Sequence, residues 1–433
     1  MKIYFITFGC KVNSYETQSM KQAFESNGFT ISADCKGCEV YIVNSCAVTE
    51  TGVQKTLKAV RRLRRENPTA VIALTGCLPQ SGKTDFEKIP EADIITGTKN
   101  RSELPELVKS YLSEQKKLYS IHEFTANDSF APDAIAFYGE NTRAFVKIQD
   151  GCNMFCSYCI IPYVRGGFRS KPLDDVVSEV KTLVSAGYRE VVLTGINLSF
   201  YGTDLGLRLI DAVEAVCKVQ GLDRVRLGSL EPKIITDEDI ARLSVLEKLC
   251  PHFHLSLQSG CNQTLKAMNR KYNCEEYKQI VLKLRKAFKN CSVTTDIIVG
   301  FPGETEAHFA ESLEFAREMR FSNIHIFPYS KREGTAAALM DNQIPSGVKK
   351  MRASVMAEIA GASRSEFLKS QIGLIVPVLF ETEKEDGIAH GYSPNYTLIK
   401  MFTKNSLQNR IFYVKIVKAE KDDCIGEIVT VNC

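Results

Sequence analysis

The sequence predicts an α/β chain in three parts: an N-terminal α/β domain with a parallel sheet, a central partial (β/α)6 barrel, and a small C-terminal β-barrel. Three observations lead there. Apolar runs that end in turn residues and lead into helix-like segments recur three times in residues 1–100. The alternation then returns six times between 144 and 330, and past 372 the texture changes to short β-like runs. A length of 433 residues accommodates about three domains. The expected boundaries are 1–110, a linker over 111–142, the central barrel with its closing helix over 143–371, and the last barrel over 372–433.

In the first part, KIYFIT (2–7) leads into GCKVN and a helix-like segment from Ser14 to Asn27. VYIVN (40–44) leads into Ser45-Cys46 and a helix capped by Thr49 or Thr51, and AVIALT (70–75) leads into Gly76-Cys77. Such β-α-β connections make a parallel sheet, and ligands gather beyond the carboxyl ends of its strands. Cys10, Cys46 and Cys77 each follow a strand by two or three residues, so the topology brings all three to one rim. A structural cysteine more often lies inside a strand or on a helix's apolar face.

The central strands are expected at 144–149, 190–195, 224–229, 253–258, 293–300 and 323–330. Helix-like segments include 173–187, 236–249, 275–289 and 304–320, and a long one over about 346–371 closes the region. Six units leave the barrel two short of the closed eight. In residues 368–433, eight Lys and Arg face eight Asp and Glu. Charge therefore does not decide whether the last barrel binds nucleic acid or is a structural appendage.

Composition sets the compartment. No apolar run is long enough to span a bilayer, and MKIYFITFGC has too short an apolar core for a signal peptide, so the cytoplasm is the expected location. In that setting fifteen cysteines point to metal or catalysis before disulfides. His252 and His254 read as strand residues meeting polar partners, with zinc a minor alternative. A net charge of +4 names no partner, so any RNA-binding surface must be local. Lys55, Lys58, Arg62 and Arg65 recur on one face of the helix after Cys46, which suits either a solvated face or phosphate contact.

The stretch DGCNMFCSYCIIPYVRG (150–166) holds Cys152, Cys156 and Cys159 in C-x3-C-x2-C spacing, with no fourth ligand close by. Soft thiolates select zinc, copper(I) or an iron–sulfur cluster. Structural zinc wants four protein ligands, whereas a four-iron cluster on three thiolates leaves one iron open.

With Tyr158 before the last cysteine, this pattern resembles the radical S-adenosylmethionine (SAM) superfamily. The resemblance implies that the open iron is chelated by SAM, and that one electron splits the sulfonium to give a deoxyadenosyl radical. It also implies SAM contacts at Gly195 and Asn197 of TGIN, Ser229 and Glu231 of GSLEP, Gln258 of LSLQSG, and Val299 and Gly300 of IVGFPGE. Three N-terminal cysteines, a radical SAM barrel and a small β-domain together resemble the methylthiotransferase family over essentially the whole chain. That resemblance implies a second [4Fe-4S] cluster on Cys10, Cys46 and Cys77 and an RNA-binding TRAM domain at the end.

TFGCKVN (7–13), MNRKYN (268–273) and FPYSKREGT (327–335) look like the branch acting on threonylcarbamoyladenosine at tRNA position 37, with Lys11 and Val12 its main mark. The isopentenyladenosine branch is the alternative substrate. A radical SAM enzyme that uses the N-terminal cluster only to relay electrons, and a zinc-stabilised RNA-binding protein, are the alternative functions. The implied partners are the tRNA anticodon stem-loop, a reductase or other electron donor, and a sulfur donor, with no membrane.

Overall fold

The computed structural model covers residues 1–433 and describes all but 83, 126, 132, 140–141, 384–386, 404 and 430–433. The chain packs as two units: residues 1–135, 147–171 and 332–338 form one, and residues 136–146, 172–331 and 339–433 form the other.

The first unit opens with β1 (Lys2–Thr7), α1 (Lys11–Ser26), β2 (Thr30–Ile31), β3 (Val40–Ser45), α2 (Glu50–Glu66), β4 (Val71–Gly76), α3 (Cys77–Gln80), β5 (Ile94–Thr96), α4 (Leu104–Glu114) and β6 (Leu118–Ser120). These strands make one parallel sheet in the order β2-β1-β3-β4-β5-β6. All six residues of β3 and all six of β4 are buried, which is why both read as continuous apolar runs with helices over both faces. Met20 and Phe24 of α1 pack with Phe5, Val40 and Ile94 on one face. Val60 and Leu63 of α2 pack with Tyr41, Val43 and Leu74 on the other. The sixth strand lies inside the stretch the sequence presents as a linker: Leu118, Tyr119 and Ser120 pair with Ile94, Ile95 and Thr96.

The same unit holds the cysteine-rich loop. After β7 (Arg143–Lys147), the short strands β8 (Gln149–Asp150) and β9 (Arg169–Ser170) pair antiparallel and pinch the loop's two ends, with α5 (Ile161–Arg165) between them. Gly151 sits at φ +72°, and a Cβ there would come within 1.9 Å of the Gly167 carbonyl oxygen. Only glycine lets the two ends approach this closely.

The second unit carries α6 (Leu173–Ser185), β10 (Glu190–Thr194), α7 (Leu209–Cys217), β11 (Arg224–Leu227), β12 (Ser229–Leu230), α8 (Asp237–Ser244), β13 (His252–Leu255), α9 (Asn262–Ala267), α10 (Cys274–Ala287), β14 (Ser292–Val299), α11 (Glu306–Met319), β15 (Asn323–Pro328) and α12 (Ser346–Ser370). The strands follow chain order, β7-β10-β11 and then β12-β13-β14-β15, and β12 continues β11 past Gly228. This is the six-unit partial barrel the sequence predicts. Beyond it β16 (Ile375–Glu383), β17 (Ile388–Tyr392), β18 (Leu398–Phe402), β19 (Ile411–Ala419) and β20 (Cys424–Ile428) close a five-stranded barrel around Val378, Phe380, Ile399, Val414 and Ile416.

Within this unit the two barrels are clamped together. The Ser393–Tyr396 loop of the small barrel meets the base of the large one: Arg226 donates to the Pro394 and Ser393 carbonyls, and the Ser292 hydroxyl donates to the Asn395 carbonyl at 2.6 Å. Tyr396 stacks on Tyr392 with centroids 4.8 Å apart, lies 4.8 Å from the His252 ring, and receives the Arg226 guanidinium 4.5 Å above its own. Arg226 also pairs with Glu190 at 2.7 Å, and neither side chain is exposed.

Removing one partner of a fully buried ion pair leaves an uncompensated charge. Arg226→Ala therefore costs about 3–5 kcal/mol, read as a lowered urea midpoint of the apo-protein. Phe402→Ser, at a side chain 75% exposed, changes stability by less than about 0.5 kcal/mol.

Candidate active site

Cys10, Cys46 and Cys77 follow β1, β3 and β4, three adjacent strands of one parallel sheet, at their carboxyl ends. Their loops touch. A Cβ on Gly9, which sits at φ +117°, would lie 3.2 Å from Cys46 Cβ. The Asn13 amide donates to the Phe8 carbonyl at 2.8 Å and the Ser45 carbonyl at 3.0 Å, tying the end of β1 to the residue before Cys46. Cys10 is exposed, Cys46 half-buried and Cys77 buried. Burial pushes the Cys77 thiol up to about 12 against the pull of Arg165. Burial raises Cys46 as well, opposed by the backbone N–H groups of Val48 and Thr49 and by Arg165.

The second cysteine set belongs to the same packed unit. Cys77 packs with Ile160, which directly follows Cys159, and with Val164 one turn further on. Cys152 donates its backbone N–H to the Gly166 carbonyl at 3.0 Å, and Cys159 to the Cys156 carbonyl at 2.9 Å. Backbone N–H groups also point at sulfur in both sets: Val48 at Cys46 Sγ, 3.4 Å, and Met154 at Cys152 Sγ, 3.5 Å. Donors aimed at sulfur favour thiolate, the form that binds metal. Tyr158 is half-buried between Cys156 and Cys159.

Among the described residues, His254, Asp296 and His325 bring three ligand atoms within 4.8 Å of one another.

A buried charge network, unmarked by any sequence motif, sits beneath these loops. Arg165 Nη1 donates to Glu16 Oε1 at 2.7 Å and Asp150 Oδ1 at 3.1 Å, and Nη2 donates to Asn13 Oδ1 at 2.9 Å and Glu16 Oε2 at 3.0 Å. Lys147 pairs with Glu16 and Asp150, each at 2.9 Å, and Arg101 with Glu16 and Asp133, each at 3.3 Å. Burial alone would raise the Glu16 pKa, but Arg101, Arg165 and Lys147 outweigh it and hold the carboxyl at about 2. Two local signals could have found single members of it. Glu16 falls between Val12 and Met20 on the buried stripe of α1, and Arg165 ends the apolar run IIPYV.

The expected SAM contacts other than Tyr158 lie in the second unit. Gly195 and Asn197 follow β10, and Asn197 is buried. Ser229 is exposed on β12, while Glu231 just beyond it is buried and pairs with Arg270 at 2.7 Å. Burial raises the Glu231 pKa against that cation, and its Oε1 is a buried atom without a hydrogen bond. An acceptor left open at a strand end fits a hydroxyl-bearing ligand such as a ribose. Gln258 adopts φ +72° and bridges to β14 through Asp296 and Ile298 backbone bonds of 2.8 and 2.9 Å. Val299 is buried, and Gly300 donates its N–H to Glu304 at 2.6 Å. The space a Cβ on Gly300 would need is filled by the Lys349 stem, so that glycine answers to packing.

On α2, Lys55, Lys58, Arg62 and Arg65 are exposed, as the helical spacing predicts. Arg64 is structural: it binds Asp93 at 2.5 Å and the carbonyls of Pro68, Ala70 and Glu91. No helix among the described residues is long and apolar enough to cross a membrane.

Comparison with known proteins agrees with this geometry. Residues 146–316 match the radical SAM superfamily, and residues 2–97 match a family described as uncharacterized protein family UPF0004. A Bacillus subtilis protein named threonylcarbamoyladenosine tRNA methylthiotransferase MtaB is 36% identical over 99% of this chain and 96% of its own. An Aquifex aeolicus protein of the same name is 37% identical over 86% of this chain and 91% of its own. A Carboxydothermus hydrogenoformans tRNA-2-methylthio-N(6)-dimethylallyladenosine synthase is 36% identical over 98% and 99%. In fold, the chain resembles the radical SAM methyltransferase TsrM of Kitasatospora setae, with a TM-score of 0.58 at 13% identity, covering 78% of this chain and 77% of that one.

Two predictions concern the charge network. Glu16 is held below its ordinary value of 4.5, so its stabilisation is complete above that pH and is lost as pH falls toward about 2. Arg165→Ala removes a main counter-charge, so acid unfolding begins at higher pH, as circular dichroism against pH will show. The same variant loosens both cysteine-bearing loops, measured as faster thiol alkylation of Cys46 and Cys152 in the apo-protein.

Proposed function

Because this chain belongs to the radical SAM methylthiotransferase family, we propose that it adds a methylthio group to C2 of N6-threonylcarbamoyladenosine at position 37 of tRNA. The observation that carries the reading is the convergence of Cys10, Cys46 and Cys77 at one sheet edge, in the same packed unit as Cys152, Cys156 and Cys159. Relatives named for the threonylcarbamoyl and the dimethylallyl substrates share 36% identity with this chain. Identity alone does not choose between them, and Lys11-Val12 in GCKVN supports the threonylcarbamoyl branch.

In this reading each cysteine triad holds a [4Fe-4S] cluster with one open iron. Bound there, the clusters and SAM supply an electron, a carbon-centred radical and the sulfur to be transferred. The chain's own residues prepare those places. The N–H groups of Val48 and Met154 aim at thiolate sulfur, and Arg165 sets a positive charge against Cys46 and Cys77. Gly195, Asn197, Ser229, Glu231, Gln258, Val299 and Gly300 are the SAM contacts of this reading in the second unit, and the open Oε1 of Glu231 supports a hydroxyl contact there. A radical route suits the substrate, since a C2–H on an aromatic base is not acidic enough for base catalysis. The anticodon stem-loop is the RNA partner, a reductase or other electron donor and a sulfur donor serve the reaction, and the cytoplasm is its place.

Anaerobic reconstitution is expected to load about eight irons per chain, four in each cluster. Cys156→Ala abolishes reductive SAM cleavage, followed by chromatography of deoxyadenosine. Cys46→Ala retains cleavage and loses methylthiolation, followed by nucleoside mass spectrometry. Full methylthiolation by Cys46→Ala would reduce the N-terminal cysteines to an electron relay, and zinc without iron would remove the enzyme reading altogether.

A further inference from the structure

The strands β13, β14 and β15 carry a side-chain cluster that neither cysteine set nor the SAM contacts use. Thr295 on β14 faces the helices: it lies 3.3 Å from the Tyr277 hydroxyl of α10 and donates to the Leu255 carbonyl at 2.6 Å. Thr294 and Asp296 therefore face the opposite way, into the lumen of the partial barrel. The register carries that face across the sheet, since Thr294 pairs with His254 and Asp296 with His325. His254 Nε2 lies 3.1 Å from Asp296 Oδ2, and Nδ1 lies 2.9 Å from Thr294 Oγ1, so the ring is fixed at both nitrogens. The His325 ring centroid is 5.7 Å from that of His254, and His325 is exposed. Phe327, two residues on and on the same face, is 41% exposed.

The interior of a small barrel is normally filled by its own side chains. This wall instead presents an exposed phenyl ring and an exposed imidazole beside a half-buried carboxylate–imidazole pair. A ligand that covers it must offer hydrogen-bond partners or leave desolvated polar groups unmatched, which costs more than the contact returns. A prenyl substituent has none to offer. A threonylcarbamoyl group has an amide N–H, a hydroxyl and a carboxylate.

We infer that this wall is the subsite for the modified base, with Phe327 stacking on the purine and His325 and Asp296 reading the polar substituent on N6. The inference rests on the substrate proposed above. His325 donates to the carboxylate, and Asp296, held 3.1 Å from His254 Nε2, accepts from the amide or hydroxyl. The wall is thus a specificity device, discriminating by partners left unpaired as well as by partners satisfied.

The test uses the full-length enzyme with its clusters reconstituted, and anticodon stem-loop RNAs carrying threonylcarbamoyladenosine, isopentenyladenosine or plain adenosine at position 37. Fluorescence anisotropy measures affinity. The wild type is expected to bind the threonylcarbamoyl RNA most tightly. His325→Phe keeps a planar ring without its nitrogens and is expected to weaken that RNA by about tenfold, with less than about twofold change for plain adenosine. His325→Gln, which restores a donor, should recover part of the loss.

An unmoved affinity in His325→Phe overturns the subsite, and so does an equal loss on all three RNAs. A non-iron divalent metal bound once per chain and absent in Asp296→Asn would make the cluster a metal centre and also overturn it. Wild-type methylthiolation of threonylcarbamoyl tRNA separates the two proposals. With that activity present, a failed affinity test rejects the subsite alone; with it absent, the substrate proposal itself is rejected.

Discussion

The Arg165–Glu16 pair is the contact on which the cysteine-bearing unit is organised. One guanidinium, 1% exposed, satisfies both oxygens of a carboxylate that is fully buried, and it also reaches Asp150 and Asn13. Glu16 belongs to the helix that starts one residue after Cys10, and Arg165 ends the helix that follows Cys159. Asn13 extends the connection to the residue before Cys46. Two cysteine-bearing loops far apart in sequence thus share one anchor. A buried pair of this kind contributes little net stability relative to a well-packed apolar substitute. What it contributes here is position: a carboxylate and a guanidinium meet in few geometries, whereas leucines meet in many.

The loops above that anchor are built from strand ends, and strand ends explain their chemistry. A parallel sheet leaves backbone N–H groups and turn glycines at its carboxyl edge, where thiolates can be met without another side chain. Val48 and Met154 supply such N–H groups to one sulfur in each set. The three thiols of the sheet edge still differ. Cys77 opens a short helix and is buried against Ile160 and Val164, whereas Cys10 faces solvent. Burial raises the Cys77 thiol's pKa, and exposure leaves Cys10 open to oxidants.

Much of this was legible in the sequence because periodicity and spacing are local. Six central strands, the long helix 346–370, and three cysteines at equivalent strand ends all follow from runs of a few residues. Strand β6 was not legible, since three residues, Leu118–Ser120, are too short to show a period and only their partner Ile94–Thr96 makes them a strand. The charge network was hidden for a different reason. Glu16, Lys147, Asp150 and Arg165 have meaning only as neighbours, and more than a hundred residues separate Glu16 from the others. The lumen wall is similar: His254, Asp296 and His325 lie on three strands, and the H-x-H pair alone announced polar partners without naming them.

The loop from Ser393 to Tyr396 has a mechanical consequence. Because Arg226, Ser292 and His252 of the large barrel grip it through hydrogen bonds and ring stacking, the five-stranded barrel is not a bead on a string. Like a jaw bolted to its frame, it is docked on strands that also line the lumen.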